Sequence, residues 1–184
     1  MKFRNIVLMA LPLAVAASSC TRHAGESESR TKLYSNATDV DSEGFSFFKS
    51  VYQKATFEVG LANYVQSSSA SAEAKKLAAG IVETYEPIIA ELEDMGASFH
   101  VILPDPGVPA FAVPHHFAAD SLGGFDSKGY IAHAQHEQGA ILEQFNRIDR
   151  NTSKVLKTYA KEKLPAVKEV FALAGGHEEH GAHH

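Results

Sequence analysis

Three side chains that commonly bind transition metals lie close together in the second half of the chain: His133, His136 and Glu137. Residues four apart share one face of a helix, so His133 and Glu137 could hold a metal ion between them. The same helical angles direct His133 and His136 away from the apolar face of the predicted helix and toward solvent. A solvated helix surface without a ligand is therefore the alternative, and the spacing leaves both interpretations open.

The end of the chain holds the densest cluster of potential metal ligands. It could bind zinc, copper or nickel loosely through four histidines, His177, His180, His183 and His184. It is not the His-Glu-x-x-His zinc motif, because His177 and His180 are only three residues apart and no helix is expected there. We expect residues 175–184 to form a disordered tail, so the alternative is a polar terminus without metal.

Motifs for nucleophilic catalysis and phosphate binding are missing from the sequence. No serine lies in a Gly-x-Ser-x-Gly turn, and there is no glycine-rich phosphate loop. A net charge of −5 and the lack of a basic patch argue against a nucleic-acid partner. The sequence therefore predicts a protein that is not an enzyme, does not bind nucleic acid and has no cofactor; a loosely bound transition metal is the alternative.

The only cysteine, Cys20, follows a segment typical of a secretory signal. The apolar run over residues 6–17 is too short to span a bilayer as a stable helix. Its end, Ala17-Ser18-Ser19-Cys20, resembles the lipobox of bacterial lipoproteins, which implies removal of residues 1–19 and attachment of lipid to Cys20. Thr21, rather than Asp, is what lipoproteins sorted to the outer membrane usually show. An ordinary secretory signal with an incidental cysteine, or an uncleaved anchor, is the alternative.

Residues 20–43 are predicted to be a flexible tether between this lipid and the folded domain. The stretch is rich in Ser, Thr, Glu and Asp, and its bulky apolar side chains are Leu33, Tyr34 and Val40. Such a composition cannot build a core of its own. We therefore expect a lipid-anchored domain of the cell envelope, at the outer membrane and facing the periplasm, whose first partner is the membrane itself.

Four amphipathic helical patterns predict one domain over residues 44–174. They cover residues 45–66, 71–99 and 125–150 and a final segment whose apolar face includes Val155 and Tyr159. Pro87 and Pro165 are expected to kink or break the second and fourth helices. Residues 98–124 are rich in Pro and Gly, and a long link at this place is a property of ferritin-like bundles. The predicted fold is all-α: a ferritin-like four-helix bundle, with two helical hairpins joined by a long crossover.

Three polar side chains fall inside the apolar stripes of these helices: Glu58, Tyr85 and Gln138. Buried polar groups need hydrogen-bond partners, so we expect Tyr85 or Gln138 to donate to the Glu58 carboxylate. A ferritin-type dinuclear metal centre is not expected, because no predicted helix contains Glu-x-x-His.

Residues 45–174 resemble the bacterial envelope proteins described as the domain of unknown function 4142 family. The matching pieces are Phe48, ATFEVGLA at 55–62, residues 74–82, LGGFDSKGY at 122–130 and LPAVKE at 164–169. The resemblance implies a ferritin-like fold and no settled activity. Where that family commonly has interior histidines, this chain has Tyr85, Gln138 and Val170.

Together these features predict a lipid-anchored envelope protein with a non-enzymatic role, in which the helical domain binds a protein or a small apolar partner. The alternative is metal binding or handling, through the histidine tail or through His133, His136 and Glu137.

Overall fold

The computed structural model describes residues 38–105, 111–115, 117 and 124–177. Within them lie four α-helices and no strand: α1 Ser42–Ser67, α2 Ala72–Ser98, α3 Ser127–Ile148 and α4 Lys154–Leu173. The all-α four-helix architecture is confirmed. The signal peptide, Cys20, most of the tether and the last seven residues of the tail lie outside the described residues.

Each helix begins where a short side chain can accept a hydrogen bond from a backbone N–H three residues later, which satisfies one of the free donors of the first turn. Ser71 caps α2 and Asp126 caps α3 in this way. Capping also explains why α1 begins before its apolar pattern, since Asp41 accepts from the N–H of Gly44 at 2.7 Å. Ser153 caps α4.

The connections fix the directions of the helices. Asn151, which follows α3, donates to Asp41 at the start of α1, so these two ends lie together. At the other end, the N–H of Ser71 donates to the hydroxyl of Ser127, which joins the starts of α2 and α3. Helices α1 and α3 are therefore antiparallel, as are the two helices of each hairpin. Helices α2 and α3 are parallel, and a parallel pair needs the long crossover between them.

The crossover lies against the bundle at several points. Phe111 packs on Phe57 of α1 with ring centroids 5.5 Å apart, and Phe117 and Val101 are buried. Gly60 makes the approach of Phe111 possible, since a Cβ at this position would lie 2.6 Å from the Phe111 ring. A glycine on α1 thereby fixes where the crossover lies.

The structure corrects two expectations about the helices. Pro87 and Pro165 lie inside α2 and α4 and neither ends its helix, so of the kink or break expected at each proline, the break is wrong. Val155 does not belong to the core, because 57% of it is exposed while the adjacent Leu156 is fully buried. No helix among the described residues combines the length and the apolar character needed to cross a bilayer.

Candidate functional site

The most unusual side chain of the core is the carboxylate of Glu58. It lies on α1 among apolar residues and is fully buried. Its Oε1 is 2.8 Å from Nε2 of His133 on α3, which makes the pair a direct link between the two helices. Burying a carboxylate costs several kcal/mol unless it is paired, so the contact with His133 is what allows Glu58 to lie in the core.

The partner of Glu58 differs from the expectation that Tyr85 or Gln138 donates to it. Tyr85 instead donates to Oε1 of Gln138 at 2.5 Å, and both side chains are buried in the bundle. The expectation that His133 projects into solvent is also wrong, since 27% of its side chain is exposed and its ring turns inward. The rings of Phe57 and Phe117 contact the imidazole edge to face, with centroids 6.0 and 5.4 Å away, and hold its orientation.

The pair changes the acid–base properties of its surroundings. The hydrogen bond to Glu58 raises the pKa of His133, burial opposes the rise, and the charges of Glu58 and Glu137 add to it. Burial also raises the pKa of Tyr85 and of Tyr130, and the Glu58 charge raises both further. The Lys54 charge lowers this pKa, and the net effect is a rise above the value of a free imidazole; in the imidazolium form, Nε2–H donates to the Glu58 carboxylate.

Not every polar atom of this layer has a partner within the protein. Oε2 of Glu58, Nε2 of Gln138 and the hydroxyl of Tyr130 are buried without a hydrogen bond to any described residue. Because an unpaired carboxylate oxygen is costly in a low-dielectric interior, Glu58 depends strongly on its one contact with His133.

His133 also forms part of the wall of a cleft of about 490 Å³. We call it the His133 cleft. It lies between α1, α3 and the beginning of the crossover, and its lining includes Lys54, Phe57, Pro104 and Glu137. The buried Glu58–His133 pair thus reaches the surface inside a concave site, which is where ligands usually bind.

A second ion pair lies in the same cleft. Nζ of Lys54 is 2.5 Å from Oε2 of Glu137, and Glu137 is the more buried partner, with 19% of its side chain exposed against 32% for Lys54. On the far side, Tyr52 donates to Glu93 at 2.8 Å, and burial followed by this bond raises the pKa of Tyr52 to about 12. The cleft therefore combines ammonium and imidazole donors with the apolar ring of Phe57, whereas the one O–H of Tyr52 is already used on Glu93.

The metal ligands suggested by the sequence are not brought together. His133 contacts Glu58, Glu137 contacts Lys54, and His136 is 82% exposed with Nε2 3.8 Å from Glu137. Across the described residues, no three His, Cys, Asp or Glu side chains are arranged to hold a metal ion. His177 is exposed, and His180, His183 and His184 lie outside the described residues, so the tail stays a prediction.

Sequence reasoning missed Lys54 and Tyr52 as site residues and missed His133 as the partner of Glu58. One signal was available: a carboxylate in an apolar stripe requires a donor, and His133 lies on the edge of the facing stripe with a side chain long enough to reach it.

The chain matches no protein-family model, no curated protein and no solved structure. The fold and the site define a four-helix protein with an acid–histidine pair that opens into a cleft. Its resemblance to the envelope family remains a prediction from short sequence pieces.

Proposed function

We propose that this protein is a lipid-anchored component of the bacterial cell envelope whose helical bundle binds a small carboxylate-containing molecule in the His133 cleft, without catalysing a reaction on it. Membrane attachment is supported by the signal and lipobox-like residues that end at Cys20. Binding is supported by one observation: two basic side chains line the same cleft, and each has a carboxylate behind it.

The hydrogen-bond inventory indicates which ligand group fits. Nε2 of His133 is committed to Glu58, so Nδ1–H of the imidazolium is its remaining donor. Lys54 uses one contact on Glu137 and keeps further N–H donors. A ligand oxygen placed between these two side chains would accept from both, and a carboxylate offers two such oxygens.

The charge balance argues against more highly charged anions. Glu58 and Glu137 balance the two cations and Asp105 adds a further negative charge to the lining, so a phosphate dianion is disfavoured more strongly than a monocarboxylate. The volume of about 490 Å³ suits a small organic acid, and Phe57 offers an apolar surface for its carbon skeleton.

The experiment is a titration of the full-length chain in detergent micelles with benzoate at pH 6, followed by NMR of the histidine ring protons. Benzoate should shift the His133 signals saturably in the millimolar range. The variant Lys54→Gln should bind about tenfold more weakly, since it loses one charge-assisted hydrogen bond.

Two controls make the titration specific. Lys49→Gln changes a lysine of α1 that lies over the Phe45 ring outside the cleft, and it should bind benzoate as the wild type does. Benzamide, which has no charge, should bind more weakly than benzoate. A response to benzoate that is equal in Lys54→Gln and Lys49→Gln, or no saturable shift of His133, would contradict the proposal.

A further inference from the structure

A shallow apolar groove lies between α2 and α4, away from the His133 cleft. It has a volume of about 460 Å³, and its lining includes Met95 of α2 and Val155, Thr158 and Tyr159 of α4. Val155 is one of two large hydrophobic side chains that are strongly exposed within the described residues. This groove is therefore an apolar surface that the described residues leave uncovered.

The N-terminal chain enters the bundle beside this groove. The N–H of Asp39 donates to the carbonyl of Phe99 at 3.0 Å, and its carboxylate is 2.6 Å from Nδ1 of His100. Phe99 lies one helical turn beyond Met95, which lines the groove. Residues 38–41 then run to Asn151, just before α4, so they cross the end of the bundle from α2 to α4.

The chain that precedes this entry point supplies a fitting occupant. Leu33 and Tyr34 are the bulky apolar residues of the polar stretch from residue 21 to residue 37. They are five and four residues before Thr38, and an extended chain of that length spans about 13–18 Å. One helical turn is about 5.4 Å, so the groove is well within their reach.

We propose that Leu33 and Tyr34 dock into the groove formed by Met95, Val155 and Tyr159. Burial of two such side chains favours docking, because it removes apolar surface from water on both partners. The groove is bordered by one cation and one anion, Lys154 and Glu162, so its fit to this segment rests on the apolar side chains. Docking leaves residues 21–32 as the free tether, with a mean reach of about 20 Å instead of about 23 Å for residues 21–37.

The experiment is a disulfide-formation assay on the full-length chain in which Cys20→Ser removes the natural thiol. The pair Tyr34→Cys with Val155→Cys should form an intramolecular disulfide under mild oxidation. The matched control pairs Tyr34→Cys with Ser46→Cys, because Ser46 is exposed on the first turns of α1 at the same end of the bundle. Docking predicts that the Val155 pair forms at least about tenfold faster than the Ser46 pair.

A second variant keeps the proposal testable if the cysteines react poorly. Leu33→Ser with Tyr34→Ser should increase amide hydrogen exchange in the first turns of α4 and leave exchange at the start of α3 unchanged. Equal rates for the two cysteine pairs would overturn the proposal. So would a disulfide between two copies of the chain, or protection of the groove that requires lipid vesicles.

Discussion

The contact between Glu58 and His133 makes the sharpest prediction for stability. His133→Gln removes the cation and leaves the fully buried carboxylate of Glu58 facing at most a neutral amide donor. Removing one partner of a buried pair typically costs about 3–5 kcal/mol, and the partial exposure of His133 places the expected loss near about 3 kcal/mol. For a domain of this size, this corresponds to a decrease in Tm of roughly 10 °C.

The assay is urea unfolding followed by circular dichroism at pH 6, on wild type, His133→Gln, Glu58→Gln and the double variant. His136→Gln is the matched control, since His136 is 82% exposed one turn away and should cost less than about 0.5 kcal/mol. The double variant should be more stable than the sum of the single losses predicts, because it leaves no unpaired charge. A loss below about 1 kcal/mol for His133→Gln would refute the reasoning.

The pH dependence gives an independent check of the same pair. The hydrogen bond to Glu58 raises the pKa of His133 in the folded state above its unfolded value of about 6.5. The stabilisation is therefore complete below pH 6.5 and is lost as the pH rises through the folded pKa. Wild type should lose stability over that interval, and Glu58→Gln should show a flatter profile. An equal pH slope in both proteins would contradict the assigned partner.

Three further perturbations test the crossover, the tail and the anchor. Gly60→Ala should lower the free energy of unfolding in urea by about 1–3 kcal/mol, because the new Cβ would lie 2.6 Å from the Phe111 ring. In a Phe111→Ala background the same change should be neutral or stabilising, because alanine favours a helix more than glycine does. Elemental analysis should find no stoichiometric transition metal in a chain ending at Gly176, and metal in that chain would restore a site in the bundle. Cys20→Ser should move the protein out of the membrane fraction, whereas retention there would indicate an uncleaved anchor.

Helical periodicity predicts much of this fold for a simple reason. The stripes of α1, α2 and α3 are long, and Ser71 and Asp126 stand directly before them as caps, so local sequence and tertiary packing agree. Val155 shows the limit of the same argument. Neighbouring residues on a helix differ by 100°, and a short stripe that contains Tyr159 fits either Val155 or Leu156 until the position of the next helix selects Leu156.

The site is less predictable because it depends on contacts between distant segments. Glu58 can be assigned to the interior from its position in the stripe, but its partner is decided by how α1 and α3 pack and by the flexible χ angles of His133. The crossover is harder still, since Phe111 reaches α1 only because Gly60 leaves room for it. The local sequence around Phe111 does not predict that Gly60, about fifty positions earlier, is its neighbour.

The buried pair also explains how the cleft can be kept ready for a ligand. Apolar residues in place of both Glu58 and His133 would make the core no less stable, because buried ion pairs gain little over well-packed hydrophobic side chains. The carboxylate instead fixes the orientation of the His133 ring, because it determines which ring nitrogen faces inward. Phe57 and Phe117 fix the plane of that ring. Glu137 holds Lys54 in the same way on the neighbouring wall. Two donors held by inward carboxylates lose little conformational entropy when a ligand binds, which is the property expected of a binding cleft and not of a core that needs only stability.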